Sequence, residues 1–173
     1  MSESSRFAEA RALLLRMFHA AIAESQPELA PWLAWVTPVP TPEESEAKCV
    51  AAYERFQRNE DLMALFLLKE TGELVGGGGL HKADWALRQF EVGYWGRTRF
   101  LGAGLMTEGV RALARHAIDV LGASRVFLTT DERNLRSRRL AERAGFEYEG
   151  TLRKDRLALD GQLRNTRVYA IVR

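Results

Sequence analysis

Six consecutive residues carry the clearest chemical signal in the chain: Arg99-Phe100-Leu101-Gly102-Ala103-Gly104, of the form Arg-x-x-Gly-x-Gly. Two glycines at this spacing allow a tight turn and let the backbone approach a bulky anion with no Cβ in the way. The residues before it, Phe90–Trp95, read as a strand, with Phe90, Val92 and Tyr94 on one face and Glu91, Gly93 and Trp95 on the other. Those after it, Leu105–Leu121, read as a long amphipathic helix. Strand, glycine turn and helix aim the unpaired N–H groups of a helix start at one point, backed by the positive end of the helix dipole. Such a point binds phosphate. By itself the turn serves equally as a plain connection. It is not a P-loop, which needs Gly-Lys-Ser/Thr where Gly104 is followed by Leu105-Met106. It only partly fits a dinucleotide fingerprint, because Thr107 stands at the third glycine position.

The bulk numbers bound what surrounds this turn. With 173 residues the chain makes one domain, 1–173, with a real core. No apolar run approaches the ~20 residues of a membrane span, and the start of the chain does not read as a secretory signal. A single cysteine, Cys49, forbids an internal disulfide and favours a cytoplasmic protein. With no His or second Cys nearby in sequence, Cys49 reads as a packing residue. The net charge of +2 hides an asymmetry: residues 1–87 hold eight Lys and Arg against 13 Asp and Glu, whereas residues 88–173 hold 17 against 10. A basic second half suits an anionic ligand. The basic residues are mixed with acids and not interleaved with aromatics, so no nucleic-acid partner is expected.

The elements that must position the turn follow from pattern. Glu9–Ala23 is a helix. All five prolines then fall between Pro27 and Pro42, with Trp32 and Trp35 among them, and predict a long loop ordered by burying its tryptophans. Either tryptophan is ordinary core packing, or the pair walls a substrate cleft. Thr41-Pro42-Glu43-Glu44 is a capping box with proline at the first helical position, starting a helix to about Arg58. Leu62–Leu68 and Glu73–Leu80 form a hairpin, and four glycines, Gly76–Gly79, interrupt the second strand, as a bulge, close helix packing or room for a ligand would require. His81-Lys82-Ala83-Asp84 begins a turn. Arg125–Thr130 is a strand. Asn134–Ala144 is a helix capped by Asn134 and Gly145. Phe146–Leu152, Arg156–Leu159 and Leu163–Val172 are strands, with Asp160-Gly161 as the hairpin turn. The order implies a mixed α/β (α+β) sheet with helices on both faces.

Taken together, these segments resemble the Gcn5-related N-acetyltransferases (GNAT), and within them the branch that acetylates ribosomal-protein N-termini. The marks are the Arg99–Gly104 turn, Pro31-Trp32-Leu33-x-Trp35, Gly79-Leu80-His81, Glu91–Trp95, Asn134-x-x-Ser137, Glu142–Phe146 and Gly150-x-Leu152-Arg153. They span roughly Leu29 to the end. The chain departs at its N-terminus, where the usual apolar strand ending in Leu-Arg-Pro is blurred into Ala12–Phe18, and after Trp95, where Gly96-Arg97-Thr98 stands.

The resemblance implies a central, mostly antiparallel sheet splayed after the Phe90–Trp95 strand. The pantetheine of acetyl-CoA, or of another acyl-CoA, would pair with Val92, Gly93, Tyr94 and Trp95. The pyrophosphate would rest on the N–H groups of Phe100, Leu101, Gly102, Ala103, Gly104 and Leu105, with Arg99, and Arg138 or Arg139, contacting phosphates. An amine, most simply a protein α-amino group, would attack the thioester directly, with no acyl-enzyme and no metal. Glu91 is the first candidate for general base and His81 the second; the plain alternatives are a surface carboxylate on a strand and a packing or turn histidine. A backbone N–H around Tyr94 would polarise the carbonyl. Ser137, with Asn134 on the same helical face, would protonate the leaving thiolate, and Tyr169 is the alternative donor. Glu91, Tyr94 and Ser137 form the catalytic set, and Asn134 and Ser137 also touch the cofactor. A small-amine acetyltransferase and a non-catalytic CoA-binding sensor remain alternatives, and a homodimer is left open. A Ser-His-Asp hydrolase is disfavoured by the lack of a Gly-x-Ser-x-Gly elbow.

Overall fold

The computed structural model describes residues 3–173, with side chains from residue 12 onward. In chain order it has α1 (Glu3–Leu29), a 3-10 turn (Ala34–Val36), α2 (Pro42–Gln57), β1 (Leu62–Leu67), β2 (Leu74–Asp84), β3 (Gln89–Gly96), a second 3-10 turn (Thr98–Phe100), α3 (Leu105–Asp119), β4 (Arg125–Asp131), α4 (Leu135–Ala144), β5 (Glu147–Leu157) and β6 (Leu163–Val172).

One six-stranded sheet organises these elements, in the order β1-β2-β3-β4-β6-β5. Every neighbouring pair is antiparallel except β3 and β4. Side-chain alternation splits the sheet into two cores. On one face Val75, Phe90, Val92, Val126 and Leu128 pack against Met106, Val110 and Leu113 of α3 and Leu140 of α4. On the other, Leu74 and Trp95 pack against Phe18, Ala21 and Ile22 of α1. α3 folds as a helix because its buried residues, Met106, Val110, Leu113, Ala114 and Ala117, recur on one face. The capping box of α2 forms as expected: Glu44 N donates to Thr41 Oγ1 at 3.2 Å, and Thr41 N donates to Glu44 Oε2 at 2.8 Å.

Three elements differ from the sequence reading. α1 does not stop at Ala23 but continues through Pro27 to Leu29. Phe18, Ile22, Ser25 and Leu29 recur at helical spacing and are all buried; that packing outweighs one proline's missing donor. β2 does not end at Leu80 but carries His81–Asp84 as strand, with a register shift between His81 and Asp84 that Lys82 absorbs at φ +49°. The two strands expected at Phe146–Leu152 and Arg156–Leu159 join into one, β5, with register shifts between Tyr148 and Gly150 and between Leu152 and Arg156.

The glycine run has two causes. A Cβ on Gly76 would lie 2.7 Å from Met106 Sδ, and one on Gly78 2.9 Å from Leu113 Cδ1, so α3 presses on one face. On the opposite face a Cβ on Gly77 would lie 2.8 Å from the Trp95 indole nitrogen, and one on Gly79 2.9 Å from the His81 ring. Close helix packing and room for two rings act on alternate residues of the same strand.

Candidate active site

The parallel pair is where the sheet opens. β3 and β4 register at three positions only, Gln89↔Arg125, Phe90↔Val126 and Glu91↔Phe127, yet β3 runs on to Gly96 and β4 to Asp131. Beyond Glu91 the two strands part. The wedge holds a cavity of about 350 Å³, walled by Val92–Gly96 of β3, Thr129–Asp131 of β4, and Asn134 and Ser137 of α4. The β3 edge facing β4 from Val92 onward has no strand partner among the described residues, so its backbone can pair with an extended ligand.

At the end of that edge lies the glycine turn. Phe100 N donates to Arg97 O at 3.0 Å and Leu101 N to Thr98 O at 3.1 Å. The first helical bond of α3 is Glu108 N to Gly104 O. Between them, the N–H groups of residues 102–107 take part in none of the backbone or side-chain hydrogen bonds among the described residues. Gly102 and Gly104 sit at φ +89° and +81°, and a Cβ on either would meet open space. The donor row therefore runs from Gly102 to Thr107, displaced along the chain from the Phe100–Leu105 span expected from sequence. Arg99 is half-exposed beside it, donating to Glu73 at 2.7 Å with its guanidinium 5.0 Å from the Phe100 ring centroid.

Strand alternation sorts the remaining residues. Tyr94 points to the α3/α4 face, where its hydroxyl and Ser137 Oγ lie 2.7 Å apart. Desolvation pushes the Tyr94 hydroxyl up to about 12, against the opposing hydrogen bond from Ser137, so this phenol keeps its proton at neutral pH. Asn134 caps α4 by accepting from Ser137 N at 3.0 Å. Tyr169 is fully buried and reaches Glu142 at 3.5 Å, away from both cavities.

On the opposite face, a second cavity of about 450 Å³ lies against Gly93, Tyr94 and Trp95. Phe18, Leu33, Trp35 and Leu65 make its apolar wall, and Lys48, Arg55 and His81 are its ionisable members besides Tyr94. The proline-rich loop does not bury its tryptophans as expected; both stay partly exposed, Trp32 lining one cavity and Trp35 the other, with Leu33 shared. Glu91 lines neither. Its Oε1 accepts from Thr129 Oγ1 at 2.6 Å, and its Oε2 pairs with Lys82 Nζ at 2.6 Å, which places it at the apex of the wedge. Arg138 donates to Glu132 O and also lines neither cavity.

Sequence reasoning did not single out Arg136, Arg156, Arg164 and Asp131, all in the wedge. A signal was present for two of them. The Asp160-Gly161 turn places Arg156 and Arg164 opposite each other on β5 and β6, and directly opposed like charges cost stability unless an anion offsets them. Asp131 is 4% exposed. Burial pushes its carboxyl up, but hydrogen bonds and charge from Arg133, helped by Arg164, outweigh this and hold it below the usual carboxylate range.

A splayed mixed sheet with a glycine turn opening a helix at the splay defines an acetyltransferase-type domain. Residues 12–147 match the family model described as "Acetyltransferase (GNAT) domain", and the chain belongs to that family. It is 34% identical over 102 residues to the putative ribosomal N-acetyltransferase YdaF of Bacillus subtilis (strain 168), a stretch covering 59% of this chain and 55% of that protein. The chain thus matches little more than half the length of that relative. Among solved structures, the microcin C7 self-immunity acetyltransferase MccE in complex with acetyl-CoA and AMP superposes with a TM-score of 0.85 at 22% identity, covering 94% of this chain and 88% of that one. The ribosomal L7/L12 α-N-protein acetyltransferase RimL in complex with coenzyme A superposes with a TM-score of 0.85 at 21% identity, covering 93% and 89%. At these identities the likeness is one of fold.

Proposed function

We propose that this protein transfers an acetyl group from acetyl-CoA directly to a protein N-terminal α-amino group. The observation that carries this is the wedge: an unpaired β3 edge, Val92–Gly96, leading to six consecutive unpaired N–H groups at the start of α3. An extended amide-bearing arm ending in a pyrophosphate matches that sequence of donors and acceptors. Arg136, Arg156 and Arg164 add positive charge along the wedge. Names among the relatives, RimL and YdaF, support the acceptor as a protein N-terminus.

The acceptor cavity supports the same class on its own terms. Among the described residues, no Asp or Glu lines it. A polyamine or aminoglycoside carries several positive charges and needs carboxylates to desolvate them; here it would meet Lys48 and Arg55. An N-terminal residue with an apolar or neutral side chain fits the apolar wall and brings a single ammonium. The leaving thiolate takes its proton from the Tyr94–Ser137 hydroxyl pair on the other side of β3. Ribosomal acceptors would place the protein in the cytoplasm, and among the described residues no helix is long and apolar enough to cross a membrane.

The test is free-thiol release from acetyl-CoA with a panel of peptides bearing free or blocked N-termini, and with spermidine. Release with free-N-terminus peptides alone supports the reading. Acetyl-CoA binding with no release on any amine refutes it in favour of a CoA-binding sensor.

A further inference from the structure

The acceptor cavity holds one side chain suited to take a proton, and its surroundings fix how it is held. His81 Nδ1 lies 2.6 Å from Asp61 Oδ1. Asp61 is mostly buried, and its other oxygen, Oδ2, accepts from Arg55 Nε at 3.1 Å. A carboxylate at Nδ1 can only accept, so Nδ1 carries the hydrogen and Nε2 carries the lone pair. Nε2 makes no hydrogen bond among the described residues. The Nε2 end of the ring lies over two glycines of adjacent strands: a Cβ on Gly93 would come 2.9 Å from Nε2, and one on Gly79 3.0 Å from it. Gly93 borders both cavities. Nε2 therefore sits over the residue at which the amine side meets the thioester side.

We propose that His81 is the general base of the transfer and that Asp61 is its positioning residue, an inference that rests on the acetyltransferase reading above. The acceptor enters as an ammonium and His81 Nε2 takes one proton. The freed amine forms a C–N bond with the thioester carbonyl carbon, the C–S bond breaks, and sulfur leaves with the bonding pair. Of the two protons the ammonium gives up, one passes through His81 to solvent. The other follows by the same route once the C–N bond has formed, and solvent returns one proton to the Tyr94–Ser137 pair that protonates the thiolate, so one proton is released net.

Glu91, directly opposite His81 in the β2–β3 register, does not compete well for this task. Both its oxygens are engaged, by Thr129 and by Lys82, and it lines neither cavity. It ties the strands together at the apex. The charged groups around His81 are Asp61 and Arg55 on its Nδ1 side, Lys48 on α2, and Glu91 and Lys82 on its own sheet.

Arg55 makes the positioning role testable. In Asp61→Asn the amide oxygen stays with Arg55, which can only donate. The NH2 group then faces Nδ1 and drives the hydrogen to Nε2, removing the lone pair from the cavity. A merely structural carboxylate would let the tautomer switch with no matching loss of kcat.

The experiment measures thiol release against pH for wild type, His81→Gln, Asp61→Asn and Glu91→Gln with one free-N-terminus peptide, acetyl-CoA affinity by calorimetry, and the imidazole 15N shifts of His81. His81→Gln lowers kcat by about 10²- to 10⁴-fold with acetyl-CoA affinity retained, which also shows the variant is folded. Asp61→Asn lowers kcat by about 10²-fold, alters the pH profile and moves the 15N signature to the Nε2–H tautomer. A His81→Gln variant that binds acetyl-CoA and keeps kcat within about twofold overturns the proposal, as does a larger loss from Glu91→Gln than from His81→Gln. Wild type that releases no thiol on any amine overturns the function itself, and the proposal with it.

Discussion

The two cavities share the wall Gly93–Trp95 and the Leu33 side chain, yet they are built for opposite tasks. The wedge between β3 and β4 carries three arginines against Glu28 and Asp131, with an open strand edge and free amides. The cavity across β3 is apolar and aromatic, without carboxylates in its lining among the described residues. One strand serves both because its side chains alternate. Tyr94 is delivered to Ser137 on the thioester side, and the bare Gly93 leaves a floor for the His81 ring on the amine side. In the proposed mechanism the separation keeps the proton acceptor, His81, and the proton donor, the Tyr94–Ser137 pair, on opposite faces of one strand, with the thioester carbon between them.

The largest expected break of this division is on the wedge side. Gly102→Glu places a β-carbon at φ +89° and a carboxylate among amides meant for phosphate. Backbone strain of ~1–3 kcal/mol plus charge repulsion should weaken acetyl-CoA by about 10²-fold or more in calorimetry, with no change in the amine side. Unaltered affinity would mean the pyrophosphate lies elsewhere. Ser137→Ala should lower kcat by ~10²-fold while the peptide KM stays put, because only the leaving group is affected; stopped-flow thiol release checks this. Lys48→Glu should act on the other cavity alone, shifting kcat/KM away from acidic peptides and toward cationic acceptors by roughly tenfold, a change of about 1.4 kcal/mol, with acetyl-CoA affinity intact.

The smallest effect expected is on stability. The folded-state pKa of Asp131 is depressed, so its contribution is present above the unfolded value and is lost as pH falls through the folded one. Thermal unfolding of Asp131→Asn should therefore lose part of the acid limb seen in wild type. Tyr94 has the opposite sign: raised to about 12, it contributes fully below its unfolded value near 10 and is lost as pH rises through 12. Tyr94→Phe should flatten that alkaline limb.

Much of this was legible in the sequence where chemistry and local geometry coincide. The capping box of Thr41 and Glu44, the Gly104 start of α3, the Asn134–Ser137 pair and the faces of β3 all follow from short-range rules. Asp61 was not legible. It lies 20 residues from His81 in sequence, and only the pairing of β1 with β2 brings it near. The extent of α1 was hidden by Pro27, because the buried partners of Ser25 and Leu29 come from distant segments. Asp131 likewise required the register of β6 against β4, and the hairpin that opposes Arg156 and Arg164 did not say that the pair faces the wedge. The charges of the wedge were visible in the basic second half of the chain, but not which arginines face it.

The most direct measurement is a crystal structure with a bisubstrate ligand, coenzyme A joined through an acetyl bridge to the α-nitrogen of a short peptide. The account predicts pantetheine amides paired with the β3 edge beyond Glu91 and pyrophosphate on the amides of residues 102–107. It also predicts sulfur beside Ser137, with the α-nitrogen in the Trp35–His81 cavity and within ~3 Å of His81 Nε2. A peptide nitrogen lying on the Tyr94–Ser137 face, or coenzyme A outside the wedge, would contradict it.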